Sequence, residues 1–134
     1  MKKWMMALMG ISLMGVSCTK DSEQVKDITG KWQWKMSVGG FTGNDTLRPS
    51  TGTAVYLLLK SDGTYQRRAN DGVTGEGSYA VTEATSIFTN STQKAIRFDN
   101  NSSNEKLIQW NGNQLILLDN HVEPYGAEYI RVEE

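Results

Sequence analysis

The sequence offers few side chains that could carry out chemistry, since its 134 residues include one histidine and one cysteine. A Ser-His-Asp arrangement would have to use His121, yet no Gly-x-Ser-x-Gly motif marks an activated serine. One histidine with scattered carboxylates also lacks the spacing of metal ligands. We therefore expect a protein that is not an enzyme, with no catalytic residue, metal or cofactor, and we place His121 in a loop.

Adjacent arginines on a predicted strand offer a different kind of chemistry. Arg67 and Arg68 must face opposite sides of the strand, and Arg67 shares the parity of Tyr65. An arginine that enters the interior needs an acidic partner or an anionic ligand group, whereas one that snorkels to the rim does not. Among the acids, we expect Glu76 to point into solvent. A hydrolase or isomerase that uses Glu76 or Asp99 is the weakest of our functional hypotheses.

Aromatic residues along the predicted strands could form a small-molecule site. Their rings offer apolar walls with polar tips, which suit a cup for a small ligand. Large rings also fill the core of a small barrel, so both interpretations stay open. The predicted ligand-binding residues are Trp34, Met36, Arg67, Tyr79 and Trp110.

The composition excludes several classes of protein. The net charge of −1 becomes more negative if the N-terminal Lys2-Lys3 is removed, which leaves no basic field for nucleic acid. One cysteine excludes a disulfide framework. Two prolines and 38% hydrophobic residues exclude a disordered chain.

The N-terminus has the features of an export signal. Lys2-Lys3 precede an apolar run over residues 4–17. A helix of this length rises about 21 Å, short of the roughly 30 Å hydrocarbon core of a bilayer. The run is therefore typical of a cleaved secretory signal rather than of a permanent span.

Small residues before the only cysteine, Gly15-Val16-Ser17-Cys18, resemble the bacterial lipoprotein signal. The resemblance implies a lipoprotein signal peptide over 1–17, then a lipidated Cys18 and flexible tether over 18–27, anchored by acyl chains such as palmitate. The Lys20-Asp21 pair is similar to export signals of Bacteroidota surface lipoproteins, which implies the outer membrane and favours its outer leaflet. The alternative is an ordinary signal peptide with Cys18 merely nearby.

The rest of the chain has the periodicity of strands. From Ile28 to Val38 apolar residues alternate with polar ones, which predicts one long strand with one buried face. Turn sequences such as Ser61-Asp62-Gly63 and Asn111-Gly112 separate further extended runs. The predicted strands are 28–38, 53–60, 64–69, 73–81, 86–91, 94–99, 105–111, 114–119 and 127–132. No segment is typical of an amphipathic helix, so we predict an all-β fold.

Short links between the strands predict an antiparallel up-and-down meander. Closure would hide its two edges, so we predict an up-and-down β-barrel of about eight strands over 28–134, with a two-sheet sandwich as the alternative. Run 86–91 is the weakest strand and could continue, bent, into 94–99. Residues 39–52 form the one long loop, expected to be a flexible lid over one mouth.

Motifs at both ends of the strand region resemble those of the lipocalin-like lipoproteins of Bacteroidota. They are Gly30-Lys31-Trp32 in the first strand and Tyr129-Ile130-Arg131 in the last, with Gly75-x-Gly77-x-Tyr79 between them. The resemblance implies that Trp32 plugs the closed end of the barrel, that Arg131 covers its ring, and that Gly30 leaves room for the close approach.

Together these expectations describe a monomeric, lipid-anchored, non-catalytic barrel that binds a small apolar or amphipathic ligand. The alternative is a cell-surface module with a solid barrel, whose loops contact a protein or glycan partner. Asp45-Thr46-Leu47 in the long loop resembles the sites at which Bacteroidota attach O-linked glycans.

Overall fold

The computed structural model describes residues 27–133. The predicted signal peptide over 1–17 and the tether up to residue 26, with Cys18, lie outside the described residues. Within the described part of the chain, no helix has the length and apolarity of a membrane span.

The described residues form nine strands and one turn of 3-10 helix, Ser102–Asn104. The strands are β1 (Gly30–Gly39), β2 (Asp45–Leu47), β3 (Val55–Leu59), β4 (Thr64–Ala69), β5 (Gly72–Thr85), β6 (Thr92–Phe98), β7 (Glu105–Asn111), β8 (Gln114–Asp119) and β9 (Tyr125–Val132).

Eight of these strands close into an antiparallel barrel. Strands β3 to β9 pair in chain order, and β1 completes the ring by pairing with both β3 and β9. The short β2 adds to the β1 edge at Ser37–Gly39. The predicted eight-stranded up-and-down barrel is therefore confirmed, and the sandwich is not formed. Closure pairs both ends of the meander and so removes the open edges that would invite aggregation.

Tight turns hold neighbouring strands in register, as the turn sequences predict. In the β3–β4 link, Asp62 accepts hydrogen bonds from the backbone N–H and the hydroxyl of Thr64 at 2.9 and 2.6 Å. Gly63 there has φ +83°, which other residues rarely adopt. These local hydrogen bonds hold the β3–β4 turn in its conformation.

Two predicted segments differ in the structure. Residues 86–91 form a turn rather than a strand, because Ser86 N–H donates to the Ser91 carbonyl and Asn90 N–H donates back to Ser86. Asn120 fastens this turn, accepting from Ile87 N–H at 2.9 Å and donating to the Thr85 carbonyl at 3.0 Å. The long loop contains β2, which pairs with β1, so part of the expected lid belongs to the sheet.

The barrel interior is filled mainly by apolar side chains from alternate positions. The largest of these are almost fully buried: Trp32, Leu57, Leu59, Ile96, Phe98, Leu115, Leu117, Tyr65 and Tyr129. Burial of a large apolar side chain contributes about 1.5–3 kcal/mol, so this cluster is the main source of stability.

The barrel has two different ends, the base and the loop end. The base is the end where β1 begins and β9 finishes, at Gly30 and Arg131. The loop end is where β1 finishes and β9 begins, at Gly39 and Tyr125, next to residues 40–54 and 120–124.

Candidate functional site

The base is sealed by a tryptophan beneath an arginine. Trp32 is fully buried, and its indole N–H donates to the Ile28 carbonyl at 2.8 Å. The Arg131 guanidinium carbon lies 4.4 Å from the centroid of the Trp32 ring. Its two terminal nitrogens donate to the carbonyls of Thr29 at 2.5 Å and Asp27 at 2.7 Å. Arg131 is thus satisfied by a ring and two backbone oxygens.

Glycine is required next to this arginine. Gly30 has φ +130°, and a Cβ there would lie 2.7 Å from Arg131 Nη1. A larger residue would push the guanidinium off the Trp32 ring. The structure thus brings Gly30, Trp32 and Arg131 together in the geometry that the sequence resemblance implies.

Two predicted ligand-binding residues lie near the base rather than in a cup. Trp110 packs against Trp32, with ring centroids 5.9 Å apart. Tyr79 donates its hydroxyl to the Lys60 carbonyl at 2.7 Å, and burial, followed by the nearby Asp27 charge, raises the pKa of Tyr79. Both rings therefore belong to the packing of the base.

An open cavity of about 630 Å³ lies beside the base. Its lining includes Trp110, Asn113, Gln114, Ile130 and Arg131. The guanidinium of Arg131 already has its acceptors at this place, so the cavity offers no uncompensated cation.

A β-bulge in β1 decides which residues face the interior toward the loop end. The register shifts between Trp34, which lies opposite Tyr129, and Met36, which lies opposite Glu128. Tyr129 and Glu128 are adjacent on β9 and therefore face opposite sides of the sheet. Their partners on β1, Trp34 and Met36, face opposite sides as well. The predicted placement of Met36 beside Trp34 on the inner face is therefore wrong. Ser37 takes the inner position, where it is buried and accepts from Trp34 Nε1 at 3.0 Å.

Arg67 faces the barrel interior. It lies opposite the buried Leu57 on β3, and its guanidinium carbon is 5.0 Å from the Phe98 ring centroid and 5.5 Å from that of Tyr65. The opposite neighbour on β5 is Gly75, which leaves the side chain unobstructed. Arg67 is half-buried, so the rings hold it while part of it reaches open space.

Arg67 has no carboxylate partner among residues 27–133. The ion pairs within 4.0 Å in that range join Lys94 to Glu83, Arg97 to Glu105, and Lys106 and His121 to Asp119. A cation–π contact contributes about 0.5–2 kcal/mol and leaves the charge un-neutralised. Arg67 thus differs from Lys106, another half-buried cation, whose charge is balanced by Asp119.

Asp99 accepts a hydrogen bond from Tyr65 of this cluster, and both of its hydrogen-bond donors are uncharged. Tyr65 donates its hydroxyl to Asp99 Oδ2 at 2.7 Å, and Ser78 N–H donates to Oδ1 at 3.2 Å. A Cβ at Gly77 would overlap that Oδ1, so glycine makes room for the carboxylate. Asp99 therefore positions the Tyr65 ring under Arg67, and Glu76, the other acid we considered, is exposed.

Both tyrosines near Arg67 stay protonated. The hydrogen bond to Asp99, and then burial, raise the pKa of Tyr65. Burial raises the pKa of Tyr129. In each case the charge of the Arg67 guanidinium opposes the rise in the pKa. At neutral pH these groups are hydrogen-bond donors beside a cation.

The five predicted ligand-binding residues therefore do not form one cup. Trp34 and Arg67 face the interior, Tyr79 and Trp110 pack at the base, and Met36 lies outside. Sequence reasoning missed the combination of Tyr65, Phe98, Asp99 and Tyr129 around Arg67. The shared parity of Tyr65 and Arg67 was the only available signal, because the other contacts depend on pairing between distant strands.

His121 is exposed in the link between β8 and β9, as expected, with Nε2 3.5 Å from Asp119 Oδ2. Residues 27–133 contain no group of three or more histidine, cysteine or acidic side chains that could hold a metal ion. Comparison of the chain with protein-family models, curated proteins and solved structures finds no match.

Proposed function

We propose that this protein binds a small apolar or amphipathic molecule inside the barrel, between the buried aromatic floor and the loop end, and catalyses no reaction. One observation carries the proposal. Trp34, Arg67 and Ala127 face inward yet remain partly exposed, next to the buried Leu57 and Tyr129. Partly exposed rings and a polar group above an apolar floor are typical of small-molecule sites. The lipocalin-like motifs of the first and last strands support the same proposal.

A neutral fluorescent probe, N-phenyl-1-naphthylamine, tests this binding without relying on charge. We expect saturable fluorescence enhancement with the full-length chain and at least about tenfold weaker binding for Trp34→Ala, as loss of a large apolar contact predicts. Met36→Ala is the matched control, because Met36 is two residues away on the outer face. Equal effects of the two substitutions, or no saturable signal, would refute the proposal.

The lipid anchor is a separate proposal that rests on the sequence. A lipidated Cys18 would tether the barrel to the outer membrane, since several acyl chains give stable anchoring. Cys18→Ala should move the protein from the membrane fraction to the soluble fraction of its host. Unchanged partitioning would contradict the anchor and leave the binding proposal unaffected.

Exposed apolar loop residues favour the alternative, an interaction module. Phe41 is 84% exposed and Val122 is 79% exposed, and their loops are joined by the hydrogen bond from Gly40 N–H to the Pro124 carbonyl at 3.2 Å. Single exposed apolar residues are common on soluble proteins, however. Absence of probe binding, together with loss of a cell-surface interaction in Phe41→Ser, would favour this alternative.

A further inference from the structure

We propose that the ligand is a single-tailed carboxylate and that Arg67 is the counter-ion of its head group. This inference rests on the proposed function, because it specifies the chemistry of the molecule held inside the barrel. Trp34 and the apolar floor would contact the tail.

The charge of Arg67 is not balanced by any acid among residues 27–133. A guanidinium removed from water is costly unless an anion accepts its hydrogen bonds. The Arg67 guanidinium carbon lies 5.0 Å from the Phe98 ring centroid and 5.5 Å from that of Tyr65, and no carboxylate of residues 27–133 pairs with it. A ligand carboxylate would accept two parallel hydrogen bonds from the Arg67 guanidinium and balance its charge, which a neutral ligand cannot do.

A second hydrogen-bond donor, Tyr129, faces the same interior as Arg67. Tyr129 comes from β9 and Arg67 from β4, so the two approach the interior from different walls of the barrel. The phenol of Tyr129 is protonated at neutral pH and can donate to the same anion as Arg67. Tyr129 lies opposite Trp34 on β1 and Arg67 lies opposite the buried Leu57 on β3, so both donors belong to the inner face of the barrel.

Asp99, the acid that hydrogen-bonds to Tyr65, has donors other than Arg67. Asp99 accepts from the Tyr65 hydroxyl and from Ser78 N–H, and Gly77 makes the space that it occupies. The carboxylate is therefore held against the sheet, where it orients Tyr65. The interior keeps a net positive charge at Arg67.

Matched ligands test the head-group assignment. Dodecanoate and dodecanol share a tail and differ in charge, and binding of both to the full-length chain is measured by isothermal titration below their aggregation limits. We expect Arg67→Met to weaken dodecanoate binding by about 10- to 100-fold, as loss of a charge-assisted hydrogen-bond pair predicts, and dodecanol binding by less than about threefold.

Arg68→Met is the control variant. Arg68 is adjacent, faces the opposite side, and donates to Gln66 Oε1 at 2.8 Å, so dodecanoate binding should not change. Arg67→Lys keeps the charge without the fork and should give an intermediate loss. It also serves if Arg67→Met does not fold.

The outcomes separate the two proposals. Wild-type protein that binds neither ligand would overturn the proposed function. If the wild-type protein binds dodecanoate and dodecanol with equal affinity, and Arg67→Met leaves both affinities unchanged, the carboxylate assignment is overturned. The proposed binding function would then still hold.

Discussion

Two arginines lie over aromatic rings in this barrel, and they differ in what completes their environment. Arg131 at the base is 4.4 Å from the Trp32 ring and donates to two backbone carbonyls. Arg67 in the interior is 5.0 Å from the Phe98 ring and has no carboxylate partner within the described chain. At the base, the arginine over the ring also has hydrogen-bond acceptors. In the interior, the arginine over the ring has no anionic partner among the described residues.

The difference indicates where binding energy is available. A satisfied cation stabilises the fold and gains little from a ligand. A half-buried cation without an anion lowers stability but strengthens ligand binding, a common trade-off at functional sites. Substitutions at the base and in the interior should therefore affect different properties.

The largest expected effect is on stability, from Trp32→Ala at the base. Removal of a fully buried tryptophan should lower the free energy of unfolding by about 3–5 kcal/mol, because a cavity replaces the plug and Arg131 loses its ring. Denaturant unfolding followed by circular dichroism measures this. A loss below about 1 kcal/mol would contradict the assignment of Trp32 as the plug.

Arg131→Met should have the next largest effect. It removes the ring contact and both hydrogen bonds to the carbonyls of Thr29 and Asp27, which predicts a loss of about 1–2 kcal/mol. The same unfolding assay applies. Wild-type stability in this variant would mean that the base does not depend on its arginine.

Asp119→Asn should lower stability by about 1 kcal/mol at neutral pH. Burial alone raises the pKa of Asp119, but hydrogen bonds from the Lys106 ammonium and Tyr125 N–H outweigh it and hold the pKa below its ordinary value. Because the pKa of Asp119 is lower in the folded state than in the unfolded state, the ionised carboxylate stabilises the fold at pH values above the ordinary carboxyl pKa. This stabilisation is lost as the pH falls through the folded-state pKa. The difference between variant and wild type should therefore shrink as the pH falls below the ordinary carboxyl range.

Glu83→Gln is the control for that prediction, because its ion pair with Lys94 is exposed and contributes little. Unfolding curves at pH 7 and at acidic pH give both comparisons. An Asp119→Asn difference that does not shrink with falling pH would contradict the ion-pair explanation.

Arg67→Met should have the smallest effect on stability, within about 0.5 kcal/mol of wild type. Removal of an unbalanced cation offsets the weak cation–π attraction that the substitution abolishes. The unfolding assay used for Arg131→Met measures this as well. A decrease as large as that of Arg131→Met would show that Arg67 is also structural, and the contrast between the two arginines would fail.

Much of the fold could be predicted because its signals are local. Alternation indicated the inner face of β1 as far as Trp34, and Asp-Gly and Asn-Gly turns marked the β3–β4, β4–β5 and β7–β8 links. The prediction of a strand over 86–91 was wrong. Ser-Ile-Phe is typical of a strand, but the hydrogen bonds that hold the turn involve Asn120, which lies in a distant loop. The register of a closed barrel is likewise set by long-range pairing.

The site was predictable only in part for the same reason. Parity placed Trp34 and Arg67 correctly, since no irregularity precedes them on their strands. The prediction for Met36 was wrong because a β-bulge between Trp34 and Met36 reverses the alternation. No residue in that stretch of the sequence indicates the bulge. The approach of Asp99 to Tyr65 joins residues 34 positions apart, which periodicity does not report.

Tryptophan indole N–H signals in a ¹H–¹⁵N correlation spectrum, recorded during a dodecanoate titration of the full-length chain, test most directly where the ligand sits. The Trp34 indole donates to Ser37 in the interior, whereas the Trp32 indole donates to Ile28 at the base. We predict that the Trp34 signal shifts saturably and that the Trp32 signal does not. A shift confined to Trp32 and Trp110, or no saturable shift at all, would contradict binding in the barrel interior.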